Sequence, residues 1–183
     1  MVVRAALKEW AVVCEALGRG RQILVARAGG VEEQAFAVEA TRFLLLPTRF
    51  HEDGTSLRPD VRDLRTHVPP PVPGGFRVSY AAEAVRAFDV RDPDAVRRLA
   101  PLQAFDEAVL RSRFESREGE LTVVVLRVLR LPEAVVLPAG EWSRGCVSWV
   151  ESPVAVDLAD ATPVLSDAAF GDELGRVETT IRG

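Results

Sequence analysis

Leu121-Thr122-Val123-Val124-Val125-Leu126-Arg127-Val128-Leu129-Arg130-Leu131 decides the fold. It is rich in β-branched residues, and period-two spacing puts Val124, Leu126 and Val128 on one face of a strand. Just upstream, Asp92-Pro93 starts a helix, with a capping carboxylate and a proline in the first turn. Val96, Leu99 and Ala100 share its apolar face. Pro101 interrupts and opens a second helix, in which Leu102, Phe105 and Val109 form one stripe. Before these, Phe76 to Val90 begins as a strand, while its alanine-rich end fits helix or strand equally. Downstream, Trp142 to Val150 reads as a strand with a bulge at Gly145. The chain then ends in a helix capped by Ser166, with Phe170, Leu174, Val177 and Ile181 on one face. Gly171 and Gly175 weaken that helix by about 1 kcal/mol each relative to alanine.

The first half reads as strands and turns. Trp10 to Leu17 and Gln22 to Arg27 flank Gly18-Arg19-Gly20 as a hairpin. Phe43-Leu44-Leu45-Leu46, closed by Pro47, has the length of a buried strand. Residues 47–75 are a long loop ending in Pro69-Pro70-Pro71-Val72-Pro73-Gly74-Gly75, stiff and extended through its prolines. Together these predict an α+β fold: an antiparallel or mixed sheet of about five or six strands, two central helices and a C-terminal helix. A small barrel-like sheet is compatible with the pattern. The 183 residues, 48% of them apolar, suit a single domain spanning 1–183.

The net charge is −4, and it is unevenly spread. Residues 1–70 carry ten basic and nine acidic groups (+1), and residues 71–183 carry thirteen and eighteen (−5). That balance is not the strong basic excess of a dedicated nucleic-acid binder, yet it leaves room for a local basic face. Cys14 and Cys146 form no metal spacing and no disulfide framework, which predicts a reduced, cytoplasmic setting. Arg4, Lys8 and Glu9 break up the start of the chain, so it lacks a signal-peptide core, and no apolar run has membrane-spanning length.

Three segments carry a resemblance. They are Leu7-Lys8-Glu9-Trp10 with Ile23 to Val31, then Phe43 to Thr48 with His51 beyond, then Leu126 to Pro132 with Gly145 to Glu151. In order and spacing, the stretch 5–151 resembles a bacterial and archaeal family catalogued as domain of unknown function 1802, and residues 152–183 form a C-terminal helical extension to it. The family has no established activity. Some members are associated with Mrr-type restriction-endonuclease domains, so the resemblance implies a link to DNA restriction or modification. Two positions depart from the family pattern: Ala28 stands where a basic residue precedes the double glycine, and Gln103-Ala104-Phe105 stands where a histidine and aromatics open the second helix.

Candidate chemistry follows from the residues. A restriction-type nuclease core needs metal-binding acids and a lysine two residues beyond one of them. The sole lysine, Lys8, follows Ala6 at that spacing, so the arrangement is absent. His51, Glu52 and Asp53, with His67 sixteen residues on, offer possible ligands for a divalent metal or a general base, although the same residues are ordinary in a solvated loop. Cys146, beside Arg144 and between tryptophans, fits a small buried side chain in a strand better than a reactive thiol, and Cys14 fits the core. Gly18-x-Gly20 and Gly29-Gly30 are turns, not phosphate loops.

Arg27, Arg42 and Arg49, if they converge, make a phosphate-binding patch, beside which Trp149, Trp10, Trp142 or Phe50 offers a stacking surface. Against that, Glu32, Glu33, Glu39 and Glu52 lie close in sequence and weaken the field. Arg97, Arg98, Arg111, Arg113 and Arg117 read as a solvated helix face. The leading expectation is a non-catalytic accessory or recognition domain for nucleic acid, partnered with a restriction-system protein, with no cofactor evident and no membrane association. The alternatives are a small metal- or histidine-dependent enzyme built on His51 and His67, and a protein-interaction module presenting an apolar patch on the C-terminal helix.

Overall fold

The computed structural model describes residues 1–28, 36–49 and 56–183. His51, Asp53, Phe50 and the Gly29-Gly30 turn lie outside these residues. Among the described residues one sheet contains seven strands: β1 (Val2–Trp10), β2 (Leu24–Arg27), β3 (Arg42–Thr48), β4 (Gly75–Val90), β5 (Leu121–Pro138), β6 (Trp149–Asp157) and β7 (Thr162–Pro163). Their order is β2-β5-β4-β3-β1-β6, with β7 pairing to β5. Only the β1–β3 pair is parallel. The helices are α1 (Ala11–Gly18), α2 (Pro93–Leu99), α3 (Glu107–Glu115) and α4 (Asp167–Arg182). The fold is α+β with a mixed sheet, open rather than closed into a barrel.

β5 organises the core. Val124, Leu126 and Val128 pack with α1 residues Val12, Val13 and Leu17 on one face of the sheet. Leu121, Val123 and Val125 pack on the other with Val96 and Leu99 of α2, Leu110 and Phe114 of α3 and Val177 of α4. A strand covered on both faces buries every other residue twice over, which is why this one is apolar almost without interruption. A third cluster, including Ala6, Leu44, Val78 and Leu137, fills the far end of the sheet.

Several expectations hold. The Asp92 carboxylate accepts from the Asp94 amide at 2.9 Å and starts α2. β4 continues as strand through its alanines to Val90. The Ser166 hydroxyl oxygen accepts from the Ala169 amide at 3.2 Å, and Phe170, Leu174 and Ile181 turn inward with Val177 rather than forming an outer apolar patch. Ser166→Ala should cost about 1 kcal/mol, read as an earlier midpoint in urea unfolding.

Others are corrected. Trp10 to Leu17 is not the first arm of a hairpin: β1 ends at Trp10 and α1 takes over. All eight residues of α1 are buried, so no polar face betrays its 3.6-residue period, and such a run reads as strand or helix alike. The second central helix opens at Glu107 behind the Asp106 cap, not at Pro101. Leu102 lies in a 3-10 turn and Phe105 bridges to Leu57, so Leu102, Phe105 and Val109 share no helical stripe. Trp142 to Ser148 is not strand: Glu141–Ser143 forms a 3-10 turn, Gly145 sits in the left-handed region at φ +79, and β6 starts at Trp149. Cys146 is therefore exposed, while Cys14 is buried as expected. Within 47–75, Pro59–His67 forms a 3-10 helix that docks through Val61 and Leu64.

One irregularity positions everything that follows. β3 and β4 pair only at Arg42↔Glu83, Phe43↔Ala82 and Leu44↔Ala81. Beyond Leu44, β3 stays with β1 as far as Thr48, while β4 stays with β5 back to Gly75. The two strands part, and a gap opens between the end of β3 and the start of β4.

Candidate functional site: a groove where the sheet parts

A groove of about 630 Å³ lies at this gap. Its floor is the end of β1, Lys8-Glu9-Trp10; Arg27 and Thr48 close two sides, and Phe76 and the 139–147 loop close the others. The sheet curls enough for Arg27 on β2 to reach Glu9 on β1, although β5, β4 and β3 stand between them in the strand order.

Glu9 is the unusual residue. It is 1% exposed in a strand whose other inward positions are apolar. One carboxylate oxygen accepts from Arg27 Nη1 at 3.0 Å, the other from the Trp10 amide at 2.8 Å. Arg27 is fully engaged: Nη2 donates to Ser148 Oγ at 2.7 Å and Nη1 also reaches the Lys8 carbonyl at 3.3 Å. Ser148 is buried and its carbonyl accepts from the Lys8 amide at 2.9 Å. Lys8 Nζ donates to the carbonyls of Arg144 and Gly145 at 3.1 and 2.9 Å, tying the groove's loop to its floor.

Behind Glu9 stands Arg113. Its guanidinium lies 4.0 Å from the centre of the Phe105 ring, and Nη1 donates to the Ala26 carbonyl at 2.9 Å. Burial pushes its pKa down to about 10; Glu9 opposes that shift and Arg27 adds to it. Phe105 in turn meets Trp10 edge-on at 5.0 Å, so the aromatic wall of the groove is braced from the α3 side.

A smaller cavity of about 190 Å³ adjoins the groove through Phe76. Glu15, Tyr80 and Arg49 line it beneath Pro69-Pro70-Pro71. The Tyr80 hydroxyl is 3.5 Å from both Glu15 oxygens, and Arg19 Nε is 3.2 Å from one of them. Burial, then the Glu15 charge, holds the Tyr80 hydroxyl above its ordinary pKa.

The residues marked out in the sequence fall in different places. Arg27 lies in the groove, bound to Glu9. Arg42 stands at the opposite end of β3, about 20 Å from Thr48 at the usual rise per residue, and pairs with Glu83 at 2.7 Å. Arg49 is exposed, and its Nη2 donates to the Pro69 carbonyl. The three arginines therefore do not converge. Trp149 is built into the core wall: Phe36 stacks at 6.1 Å, Phe43 meets it edge-on at 4.7 Å, and its indole N–H donates to the Ala37 carbonyl at 2.7 Å. Trp10, not Trp149, lines the groove. His67 is exposed at the end of its 3-10 helix, and among the described residues no group of three His, Cys, Asp or Glu side chains is placed to hold a metal.

Glu9, Lys8 and Arg113 are the residues the sequence reading missed. Arg113 does not share the solvated face expected of its neighbours. The available signal for the first two was the adjacent Lys8-Glu9 charge pair, which puts one charge on each face of the strand.

No helix among the described residues is long and apolar enough to cross a membrane. No curated protein matches the chain. Among solved structures it is similar to ASCH from Zymomonas mobilis, at 12% identity and a TM-score of 0.47, over 94% of this chain and 93% of that one. A tyrosine-to-phenylalanine variant of the same protein gives 13% identity and a TM-score of 0.44, over 94% and 96%. The family model described as a domain of unknown function, DUF1802, matches residues 6–175, from β1 through half of α4 and so well past the 5–151 stretch that carries the resemblance, and the chain belongs to that family.

Proposed function

We propose that this chain is a single-domain recognition module that binds single-stranded nucleic acid and takes one unstacked base into the groove. The observation that carries this reading is Glu9: a carboxylate withdrawn from solvent on the floor of a groove, charge-paired by Arg27 and flanked by Trp10 and Phe76. A buried acceptor beside aromatic walls suits the edge of a base, whose amino and imino groups donate hydrogen bonds while its faces are apolar. The volume falls in the range of ordinary ligand sites. A base inside a duplex does not reach such a floor without being flipped out, which favours single strands.

Carboxylates accept from exocyclic amino groups, so cytosine, guanine and adenine should be preferred over thymine and uracil, which have none. The family's association with restriction systems, implied by the resemblance, would give the module a cytoplasmic setting beside another chain that cuts.

The test is a fluorescence-anisotropy titration of labelled homopolymeric single-stranded DNA and RNA, with duplex controls, at several salt concentrations. We expect micromolar affinity for single strands, weakening with salt, and a preference for the amino-bearing bases over thymine and uracil. Glu9→Gln keeps an oxygen for Arg27 but presents a donor to the base, so it should level or reverse that preference. No binding at low salt, or an unchanged base preference in Glu9→Gln, would overturn the reading.

A further inference from the structure

We infer a second site, a phosphate-binding recess formed by Arg49, Arg62 and Arg65, which takes the sugar–phosphate backbone of the strand whose base enters the groove; this placement rests on the groove reading. The recess has a volume of about 520 Å³ and is lined by those three arginines with Thr66 and Val68.

Its geometry follows from the 3-10 helix. Three residues per turn sort the side chains into rows. Val61 and Leu64 form the buried row. Arg62 and Arg65 form the next, eclipsed and about 6 Å apart along the axis at roughly 2 Å rise per residue. Both are exposed. Arg62 Nε donates to the Leu57 carbonyl at 3.2 Å, and Arg49 Nη2 donates to the Pro69 carbonyl, which ties down two of the three guanidinium groups while using only one nitrogen of each.

Two like charges one turn apart repel, and a bound anion would relieve that repulsion. Arg97, Arg111, Arg144 and Arg176 each meet a carboxylate three or four residues away. Among the described residues, Arg49, Arg62 and Arg65 meet none. Among the described residues the nearby carboxylates do not serve. Asp60 is bound by Arg58 and feels Arg21 as well, which holds its carboxyl below the ordinary range. Asp63 makes no ion pair with any of the three among the described residues, and its backbone carbonyl accepts from the Thr66 hydroxyl at 2.7 Å. Guanidinium groups set side by side in this way suit successive phosphates, each taking two donors.

The recess is joined to the groove by shared walls. Arg49 and Val68 line both the recess and the small cavity, and Phe76 lines both the small cavity and the groove. In sequence, Thr48 in the groove is followed by Arg49 in the recess. A strand with its base over Glu9 therefore has a basic path leading away past the end of β3.

The test compares the wild type with Arg62→Gln/Arg65→Gln, whose thermal unfolding should fall only slightly, through loss of the Arg62 Nε bond to the Leu57 carbonyl. With a single-stranded oligonucleotide, loss of two phosphate contacts should lower the slope of log affinity against log salt by about 1.4, at roughly 0.7 per contact. Affinity at low salt should fall roughly tenfold, equally for every sequence, leaving base preference untouched. An unchanged slope would overturn the recess while leaving the groove reading intact. If the wild type binds no oligonucleotide, inorganic tripolyphosphate decides the matter. Saturable binding that the double variant loses upholds the phosphate site without the groove, and no tripolyphosphate binding overturns it.

Discussion

Glu9→Ala should lose about 3 kcal/mol of stability in urea unfolding at neutral pH, the cost of leaving a buried charge without its partner. Arg27 is only 15% exposed, so solvent cannot replace the carboxylate, and its remaining partners are a hydroxyl and a carbonyl. Arg113 aggravates the loss, because Glu9 is the negative charge that both guanidinium groups share. The Trp10 amide loses its acceptor as well. A double-mutant cycle separates these contributions: in an Arg27→Met background, Glu9→Ala should cost markedly less, and the difference measures the coupling. A loss below about 1 kcal/mol in the single variant would mean that the pair is solvated and the groove floor is not the buried polar site described.

Gly18→Ala should be nearly as costly, about 3 kcal/mol, for a steric reason. A β-carbon at Gly18 would stand 2.0 Å from Tyr80 Cζ and within 2.4 Å of both neighbouring ring carbons. The ring is held on several sides. It is 6% exposed, Arg130 lies 5.4 Å from its centre while donating to the Gly18 carbonyl at 2.7 Å, and Glu15 faces its hydroxyl. Overpacking a fixed ring at the end of a fully buried helix displaces α1 or the strand beneath it. In a Tyr80→Ala background the same methyl should cost almost nothing. Equal costs in both backgrounds would show that the glycine serves the backbone instead of making room for the ring.

How far the sequence could be read depended on how many partners each residue needs. β5 was legible because its alternation is a local property, with Val124, Leu126 and Val128 on one side wherever the strand sits. The caps at Asp92 and Ser166 were legible for the same reason, since a side-chain acceptor two or three residues from its amide is a short-range bond. α1 was not, because helical periodicity shows only when one face meets water. The site was the least legible part. Arg27 was marked for phosphate and instead holds Glu9, from a strand four places across the sheet. Arg113 looked like one of five arginines on a wet helix, and nothing near it in sequence discloses that Phe105 and Ala26 enclose it. Arg62 and Arg65 went unremarked because residues 47–75 read as a loop, where a spacing of three places nothing on a common face.

The parting of β3 and β4 has a mechanical consequence. Widening most clefts in a sheet means breaking rungs of a hydrogen-bonded ladder. Here the rungs stop at Leu44↔Ala81, so the strands beyond that point are two blades on a common pivot, joined by the side chains of one buried cluster, Leu46 and Val78 among them, and not by a backbone ladder. The pivot is three residue pairs wide, and each blade keeps its own backing, β1 behind β3 and β5 behind β4. An incoming molecule can be admitted by a change in the angle between the blades, with every existing ladder left whole.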